Sequence, residues 1–181
     1  MKDKYIVLDR DGTLIKYKPY LYLPEMVELH KETKKALQLL IDNNCKLFLH
    51  TNQSGVSRGY FETEDVIKCN DRLIHLLGHG DNVFEMICVA SDYPPKKNSY
   101  RKPSPLFGFD LMKKYKIDAN QIYYVGDSIS DLTTAKNIGC KAYGVENGGF
   151  DLKNDLKDIK GLQYKICSDI YHAAQEIIKE C

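Results

Sequence analysis

Residues 5–13 of the chain read Tyr5-Ile6-Val7-Leu8-Asp9-Arg10-Asp11-Gly12-Thr13. Four apolar residues in a row, ended by charge and by Gly12, predict a strand that is buried on both faces. Such strands belong to parallel sheets that carry helices on each side. The stretch therefore predicts an α/β fold in which two carboxylates, Asp9 and Asp11, follow the first strand.

The rest of the chain alternates short apolar runs with longer segments of helical spacing. The further predicted strands are Lys46–His50, Val83–Ala90, Ile122–Val125, Lys141–Val145 and Gln163–Cys167. The predicted helices are Pro24–Asn43, Thr63–Leu77, Leu106–Tyr115, Ser130–Ile138 and Ser168–Lys179. This alternation implies parallel strands joined by right-handed crossovers. We therefore expect one domain over residues 1–181, built as a doubly wound, Rossmann-like parallel sheet in three α/β/α layers.

The composition excludes several classes of protein. The 181 residues include 26 Lys and Arg against 25 Asp and Glu, a formal net charge of +1, so no nucleic-acid partner is expected. No stretch has the roughly 20 apolar residues of a membrane span, and the chain does not begin like a signal peptide. The six cysteines are scattered without metal-binding spacing, which favours reduced thiols in a cytoplasmic protein. A monomer is expected, with a homodimer as the alternative.

Polar residues with useful chemistry follow four of the predicted strands. In chain order these are Asp9 and Asp11, Thr51 and Asn52, Arg101 and Lys102, and Asp127 and Asp131. In open α/β sheets, ligands bind beyond the carboxyl ends of the strands. These four loops are therefore predicted to meet at one crevice.

The three carboxylates of Asp9, Asp11 and Asp127 have no matched cations in the sequence and favour a divalent ion between them. Mg²⁺ fits, because it takes one or two protein carboxylates and completes its shell with water and substrate phosphate. Beside such an ion, an aspartate can act as a covalent nucleophile toward phosphorus. Lys102 and the Thr51 hydroxyl could bind the phosphate oxygens, and Asp11 could serve as general acid and base.

The same residues carry a resemblance to a known superfamily. Asp9-Arg10-Asp11-Gly12-Thr13 resembles the DxDGT signature of the haloacid dehalogenase (HAD) superfamily. Thr51, Lys102 and the segment Gly126-Asp127-Ser128-Ile129-Ser130-Asp131 resemble its second, third and fourth motifs. The segment 51–61, TNQSGVSRGYF, and the RKP of residues 101–103 are similar to the histidinol-phosphatase and heptose-bisphosphate-phosphatase group of subfamily IIIA.

The resemblance implies a HAD-like fold without a cap domain and a role for each matched residue. It implies that Asp9 is the nucleophile, Asp11 the general acid and base, and Thr51 and Lys102 the groups that stabilise the phosphoryl group. Mg²⁺ would be held by Asp9, the backbone carbonyl of Asp11, and Asp127. The implied substrate contacts are Asn52 and Arg101, with Gln53 as a further candidate, and the implied supporting residues are Gly12, Thr13 and Asp131. Arg58 is expected either to contact substrate or to cap its own loop.

One departure from the group concerns zinc. Many members carry zinc ligands before the RKP motif, whereas the corresponding positions here are Ser91, Tyr93, Asn98 and Tyr100. None of these is a good zinc ligand, so no zinc is predicted. The loop of residues 91–105 is expected to be ordered by packing of its tyrosines and prolines, or only when substrate binds.

Several alternatives remain open from the sequence. The leading substrate is a small phosphorylated metabolite of the heptose 1,7-bisphosphate type, followed by histidinol phosphate and by a polynucleotide 3′-phosphate. A non-catalytic phosphate-binding module is the alternative from another class, although neither Asp9 nor Asp11 is lost. His50 is expected to be a buried, hydrogen-bonded imidazole rather than an acid or base. Residues 16–22 are expected to cover the crevice, with packing at the sheet edge as the alternative.

Overall fold

The fold is built on a six-stranded parallel sheet. The computed structural model describes residues 3–146, 152 and 161–180. The strands are β1 (Tyr5–Leu8), β2 (Lys46–Asn52), β3 (Met86–Ala90), β4 (Ile122–Gly126), β5 (Lys141–Val145) and β6 (Tyr164–Cys167). Their order is β3-β2-β1-β4-β5-β6, and every neighbouring pair is parallel. The predicted doubly wound α/β fold is confirmed.

Helices cover both faces of this sheet. They are α1 (Thr33–Asp42), α2 (Ser54–Ser57), α3 (Thr63–Leu77), α4 (Leu106–Tyr115), α5 (Ile129–Ile138) and α6 (Ile170–Lys179), with 3-10 turns at Pro24–Met26 and Ala119–Gln121. One apolar core joins the sheet to α1, α3 and α6, and the other joins it to α4 and α5. Ile6 and Leu8 of β1 enter the first core, and Tyr5 and Val7 enter the second. Alternating side chains of a strand point to opposite faces, so β1 is buried on both sides, as its sequence predicts.

Two predicted elements have different bounds in the structure. The strand predicted from Val83 starts at Met86, because the first backbone hydrogen bond to β2 runs from the Glu85 N–H to the Leu47 carbonyl (2.8 Å). Val83 is nevertheless buried in the first core, which explains the misleading apolar signal. The helix predicted over Pro24–Asn43 begins only at Thr33.

The reason for the late start of α1 lies in the turn after β1. The Lys16 N–H donates to the Glu28 carbonyl at 2.8 Å, and Ile15 and Leu29 form an isolated antiparallel bridge. After the 3-10 turn at Pro24–Met26, residues 28 and 29 therefore pair with the turn after β1 and do not join α1. The Thr33 hydroxyl, at the first helical position, donates to the Leu14 carbonyl at 2.8 Å and fixes α1 to the same turn.

The cysteines and the helices agree with the limits set by composition. Cys45, Cys69, Cys88, Cys140 and Cys167 are free thiols, as predicted, and Cys181 lies outside the described residues. Burial raises the pKa of all five thiols. Within residues 3–146, 152 and 161–180, no helix is long and apolar enough to cross a membrane.

The strand order places the crevice. The chain winds outward from β1 through β2 to β3, and from β4 through β5 to β6, so the winding direction reverses between β1 and β4. Ligands bind at such a switch point, beyond the carboxyl ends of the strands. The residues that follow β1, β2 and β4 are therefore side by side.

Candidate active site

The tight turn after β1 fixes Asp9. The Asp9 N–H donates to the Val125 carbonyl of β4 at 2.9 Å, and the residue is 6% exposed. The chain then folds back, because the N–H groups of Leu14 and Ile15 both donate to the Arg10 carbonyl at 3.0 Å. Gly12 has a φ of +87°, a left-handed conformation that residues with a Cβ rarely adopt. The sequence of this turn thus dictates where Asp9 points.

Gly12 is required for a second reason, which is its contact with Asp127. A Cβ at Gly12 would lie 2.1 Å from Asp127 Oδ2. Asp127 is buried after β4, and its Oδ1 accepts a long hydrogen bond from the Thr13 hydroxyl (3.4 Å). Among the residues that the structure describes, Oδ2 has no hydrogen-bond partner. A buried carboxylate oxygen without a donor is costly, and a metal ion would satisfy it.

Lys102 lies between two buried carboxylates. Its Nζ donates to Asp9 Oδ1 and, at 2.5 Å, to Asp131 Oδ1. The other oxygen of Asp131 accepts hydrogen bonds from the Ser128 N–H (3.1 Å) and the Ser128 hydroxyl (2.6 Å), which form a capping box at the start of α5. Both oxygens of Asp131 are thus engaged. The supporting role expected for Asp131 stays a prediction.

The electrostatics of this cluster follow from burial and from like charges. Burial raises the pKa of Asp9 well above its usual range, Lys102 opposes this, and Asp131 and Asp127 add to it. Burial alone would lower the pKa of Lys102, but Asp131 and Asp9 outweigh it and keep the amine charged. Burial, followed by the charge of Asp131, raises the pKa of Asp127 to about 7. A divalent cation would reverse these shifts by neutralising the carboxylates.

The donor set fits a hard cation such as Mg²⁺. Asp9, Asp127 and Asp131 each offer an oxygen, and these three atoms lie within 4.8 Å of one another. Magnesium prefers oxygen ligands and takes few carboxylates, which suits Asp9 and Asp127 because Asp131 is occupied by Lys102 and Ser128. The Asp11 side chain does not belong to this group. Its implied contribution to the metal through the backbone carbonyl stays a prediction.

Asp11 instead contacts a buried arginine that the sequence reading missed. Arg10 Nε donates to Asp11 Oδ2 at 3.0 Å, and Arg10 Nη2 donates to Oδ1 at 3.2 Å. The expectation that the clustered carboxylates have no matched cations is therefore wrong, because Arg10 pairs with Asp11 and Lys102 with Asp9. An arginine between two aspartates of one motif was the available signal.

The polar residues at the carboxyl end of β2 have two different sets of partners. The Thr51 hydroxyl donates to Asp11 Oδ2 at 3.3 Å, and Gln53 Nε2 donates to the same oxygen at 2.9 Å and to the Thr51 hydroxyl at 2.8 Å. Asn52 turns toward the neighbouring loop, where its Oδ1 accepts from the Lys102 N–H (2.9 Å) and its Nδ2 donates to the Lys102 carbonyl (3.3 Å). Asn52 therefore holds the backbone of Lys102, and its implied contact with substrate stays a prediction.

His50 is a buried, fully hydrogen-bonded imidazole, as expected. Its Nδ1 accepts from the Tyr124 hydroxyl (2.7 Å), and its Nε2 lies 2.9 Å from the Tyr100 carbonyl. Burial, with the nearby charge of Lys102, lowers the pKa of His50 to about 3. The ring is therefore neutral, and its Nε2–H donates to the carbonyl. This bridge fixes the backbone at Tyr100, two residues before Lys102. The sequence analysis did not single out Tyr124, its other partner.

The loop of residues 91–105 is held by protein contacts. The Arg58 guanidinium lies 3.5 Å from the centre of the Tyr93 ring, and that of Arg101 lies 5.6 Å from it. The Tyr100 hydroxyl donates to Asp110 of α4 at 2.6 Å. Tyr93 and Tyr100, at two positions where zinc ligands occur in the group, thus anchor the loop through ring and hydroxyl contacts. The absence of zinc itself stays a prediction.

Arg101 keeps unused binding capacity. Its Nη1 is buried and, within the described part of the chain, makes no hydrogen bond. Burial, followed by the repulsion from Arg58, lowers the pKa of Arg101. Two guanidinium groups that share one tyrosine ring form a local positive region on a nearly neutral protein. A bound anion would accept a hydrogen bond from the buried Nη1 and would offset the repulsion between the two arginines.

A crevice of about 230 Å³ opens beside Asp11. One wall is formed by residues 17, 18, 20 and 21, and the other by residues 52–55 and Phe61. Tyr20 packs edge-on against Tyr60 with ring centres 4.8 Å apart, and Tyr22 stacks on Phe61 at 5.8 Å. The segment 16–22 therefore borders the crevice, as expected, rather than packing only at the sheet edge.

Comparison with known proteins first defines the class. The family of HAD-hydrolase-like proteins matches residues 99–173, which contain Lys102, Asp127 and Asp131. The crystal structure of D,D-heptose 1,7-bisphosphate phosphatase from Bordetella bronchiseptica, complexed with magnesium and phosphate, superimposes with a TM-score of 0.87. The two proteins share 27% sequence identity over 98% of this chain and 99% of that one. The fold and the site are those of a HAD superfamily phosphatase.

The relatives then define the family. The D-glycero-β-D-manno-heptose-1,7-bisphosphate 7-phosphatase of Haemophilus ducreyi is 32% identical over 148 residues, which are 78% of this chain and 81% of the relative. The enzyme of the same name from Bordetella bronchiseptica is 28% identical over 98% of this chain and 99% of its own. The chain belongs to the heptose-bisphosphate phosphatase family of the HAD superfamily. It is a phosphoric monoester hydrolase and not a non-catalytic module.

Proposed function

We propose that this phosphatase hydrolyses a phosphate ester of D-glycero-D-manno-heptose 1,7-bisphosphate, with Mg²⁺ as cofactor and an aspartyl-phosphate on Asp9. One observation carries the proposal. Lys102 Nζ is held between Asp9 and Asp131, while a buried oxygen of Asp127 faces the Gly12 turn and has no hydrogen-bond partner among the described residues. This arrangement brings together a nucleophile, a fixed cation and a carboxylate oxygen that can bind a metal.

The chain's own residues account for both halves of the reaction. The Asp9 carboxylate forms a bond to phosphorus as the bond from phosphorus to the sugar oxygen breaks, and Asp11 gives that oxygen its proton. Water then attacks phosphorus, the bond to Asp9 breaks, and Asp11 takes the proton from the water. Lys102 and Thr51 stabilise the phosphoryl oxygens throughout. Mg²⁺, held by Asp9 and Asp127 with the Asp11 carbonyl, supplies the charge that lets a phosphate dianion approach a carboxylate.

The second phosphate of a bisphosphate has a place to bind. Arg101 has a buried donor that lacks a partner in the part of the chain that the structure describes, and Arg58 and Arg101 both lie near the Tyr93 ring. Two guanidinium groups favour a second anion. They disfavour histidinol phosphate, because that substrate carries a cationic amine where the bisphosphate carries its second phosphate. Gln53 is the remaining implied substrate contact, and it lines the crevice.

A polynucleotide 3′-phosphate is the remaining alternative substrate. The formal net charge of +1 provides no extended basic surface for a nucleic-acid backbone. The positive region at Arg58 and Arg101 is local, which suits a small metabolite. The proposal includes a cytoplasmic location, supported by the five free thiols, a monomeric single domain over residues 1–181, and activity without zinc.

The first test measures phosphate release from a defined panel. It contains both anomers of heptose 1,7-bisphosphate, heptose 7-phosphate, histidinol phosphate and a 3′-phosphorylated oligonucleotide, each with Mg²⁺ and with EDTA. The Asp9→Asn variant is nearly isosteric and serves as the inactive control. We expect Mg²⁺-dependent hydrolysis of a heptose bisphosphate above all other substrates. A strong preference for histidinol phosphate or the oligonucleotide would overturn the assignment of substrate.

A second test removes the positive charge of Arg58. Arg58→Gln should reduce the preference for the bisphosphate over heptose 7-phosphate by about tenfold, because a charged hydrogen bond contributes on the order of 1.5 kcal/mol. Lys97→Gln is the matched control, since it removes one charge from an exposed position of the loop of residues 91–105, which Arg58 contacts through Tyr93. Equal losses in the two variants would mean that only the net charge matters.

A further inference from the structure

Arg10 is an unusual residue for a catalytic turn because it is completely buried. Its relative exposure is 0%, and it is the largest of the fully buried side chains in the described part of the molecule. Burying a guanidinium is costly unless its donors are used. Two nitrogens bind the Asp11 carboxylate, and Nη1 donates to Asn70 Oδ1 of α3 at 2.9 Å. Asn70 is itself buried, so the guanidinium is fixed from both sides.

The contacts of Asp11 divide its two oxygens. Oδ2 accepts from Arg10 Nε (3.0 Å), Gln53 Nε2 (2.9 Å) and the Thr51 hydroxyl (3.3 Å). Among the described residues, Oδ1 accepts a single side-chain hydrogen bond, from Arg10 Nη2 (3.2 Å). A carboxylate oxygen has room for about two strong donors, so Oδ2 is saturated and Oδ1 is the oxygen left for a reacting group.

The same contacts separate Asp11 from the metal ligands. Asp9, Asp127 and Asp131 form the carboxylate cluster, and the Asp11 side chain is absent from it. A side-chain carboxylate so close to a divalent site would otherwise compete for the ion. The planar guanidinium binds both Asp11 oxygens at once, which a single-point cation such as lysine cannot do.

We propose that Arg10 is a positioning residue. Held by Asn70, Arg10 orients the Asp11 carboxyl group so that Oδ1 transfers the proton. The same contact keeps the Asp11 carboxylate away from the metal. This inference rests on the proposed role of Asp11 as general acid and base. Arg10 touches neither phosphate nor metal in this assignment. Its effect on the reaction passes entirely through Asp11.

The test compares two substrates that differ in the basicity of the leaving group. Phenyl phosphate and p-nitrophenyl phosphate have nearly the same shape, but only the phenolate of the first needs a proton to leave readily. The quantity measured is kcat/KM, because it reports the transfer of phosphate to Asp9 and not the later hydrolysis. Arg10→Met should lower kcat/KM for phenyl phosphate at least about tenfold more than for p-nitrophenyl phosphate. An equal loss on both substrates would overturn the proposal.

A double-variant cycle separates positioning from a general structural role. If Arg10 acts through Asp11, then Arg10→Met in the Asp11→Asn background causes no further loss on phenyl phosphate. Additive losses would show that Arg10 acts elsewhere. Arg10→Lys, which keeps the charge but not the two-pronged contact, should behave like Arg10→Met. Full activity of Arg10→Lys would reduce the role of Arg10 to charge alone.

Folding and metal binding give independent readouts. If Arg10→Met does not fold, Asn70→Ala removes only the hydrogen bond to Arg10 Nη1. It should show the same substrate dependence with a smaller amplitude.

Titration of Arg10→Met with Mg²⁺ by calorimetry should show an altered affinity, since the Asp11 carboxylate, no longer held by Arg10, can reach the ion. An unchanged affinity would contradict the proposal that Arg10 keeps Asp11 away from the metal. A wild-type protein inactive on heptose 1,7-bisphosphate with Mg²⁺ would instead refute the proposed function.

Discussion

Replacing Gly12 by alanine should disable the metal site through a single methyl group. The new Cβ would lie 2.1 Å from Asp127 Oδ2, where an ordinary contact needs at least 3.4 Å. The carboxylate must therefore move by about 1 Å or more, and a misplacement of about 1 Å in an active site costs on the order of 100-fold in rate. The movable group is the side chain, because the Gly12 backbone is fixed by its N–H bond to the Ile15 carbonyl (2.8 Å).

The backbone cost can be measured separately with a matched glycine. Gly12 and Gly78 have similar left-handed φ values, +87° and +74°, but nothing lies within 4 Å of a Cβ at Gly78, which ends α3. Gly78→Ala should cost about 1–2 kcal/mol of stability and leave catalysis unchanged. For a chain of this size that corresponds to a fall in Tm of roughly 2–4 °C per kcal/mol.

The assay combines calorimetric Mg²⁺ titration, scanning calorimetry and steady-state phosphate release for both variants. We expect Gly12→Ala to lose at least as much stability as Gly78→Ala, because the clash with Asp127 adds to the backbone cost that the two variants share. Only Gly12→Ala should lose Mg²⁺ affinity and about 100-fold in rate. Wild-type metal affinity and rate in Gly12→Ala would refute the reasoning, since they would show that Asp127 Oδ2 is not where the ion binds.

Two further predictions concern the buried charges. Lys102→Met should lower kcat by roughly 10²–10³-fold, because it removes a fixed cation from the transition state. It should also destabilise the metal-free protein by about 3 kcal/mol at pH 8 and by less at pH 5, where the abandoned Asp9, whose pKa is raised by burial, can be protonated; equal losses in urea unfolding at the two pH values would contradict this. The pKa of Asp127, raised to about 7, predicts that Mg²⁺ affinity falls as pH drops below 7, with a proton released on binding. Calorimetry of Mg²⁺ binding in two buffers of different ionisation enthalpy measures this released proton. The raised pKa also means that the Asp127 contribution to metal-free stability is largest at about pH 4 and is lost as pH rises toward 7.

The fold was largely readable because its signals are local. The apolar run of β1 predicts a doubly buried strand, and its alternate residues do enter two separate cores. The rule that ligands bind beyond parallel strands places Asp9, Thr51, Lys102 and Asp127 together before any coordinates are known. The predicted bounds failed where tertiary contacts outweighed local pattern. Val83 is apolar because it is buried in a core, not because it lies in a strand.

Sequence patterns did not predict the contacts of residues whose partners lie far along the chain. Asn52 looks like a substrate contact, yet both ends of its amide bind the backbone of Lys102, 50 residues away. His50 and Tyr124 are separated by 74 residues and share one hydrogen bond. Such pairings depend on strand order, which periodicity does not specify.

Short-range patterns in the sequence and the fixed geometry of parallel strands were enough to predict the class of fold, the converging motifs and the chemistry of their side chains. The pairing of the buried charges, Arg10 with Asp11 and Lys102 with Asp9 and Asp131, was set by packing. Lys102 meets carboxylates that are remote in sequence, so its pairing depends on how the strands are ordered. Arg10 and Asp11 are neighbours in sequence, but the direction of the Arg10 side chain depends on its contact with Asn70 of α3. Both pairings are set when the sheet and its helices pack together.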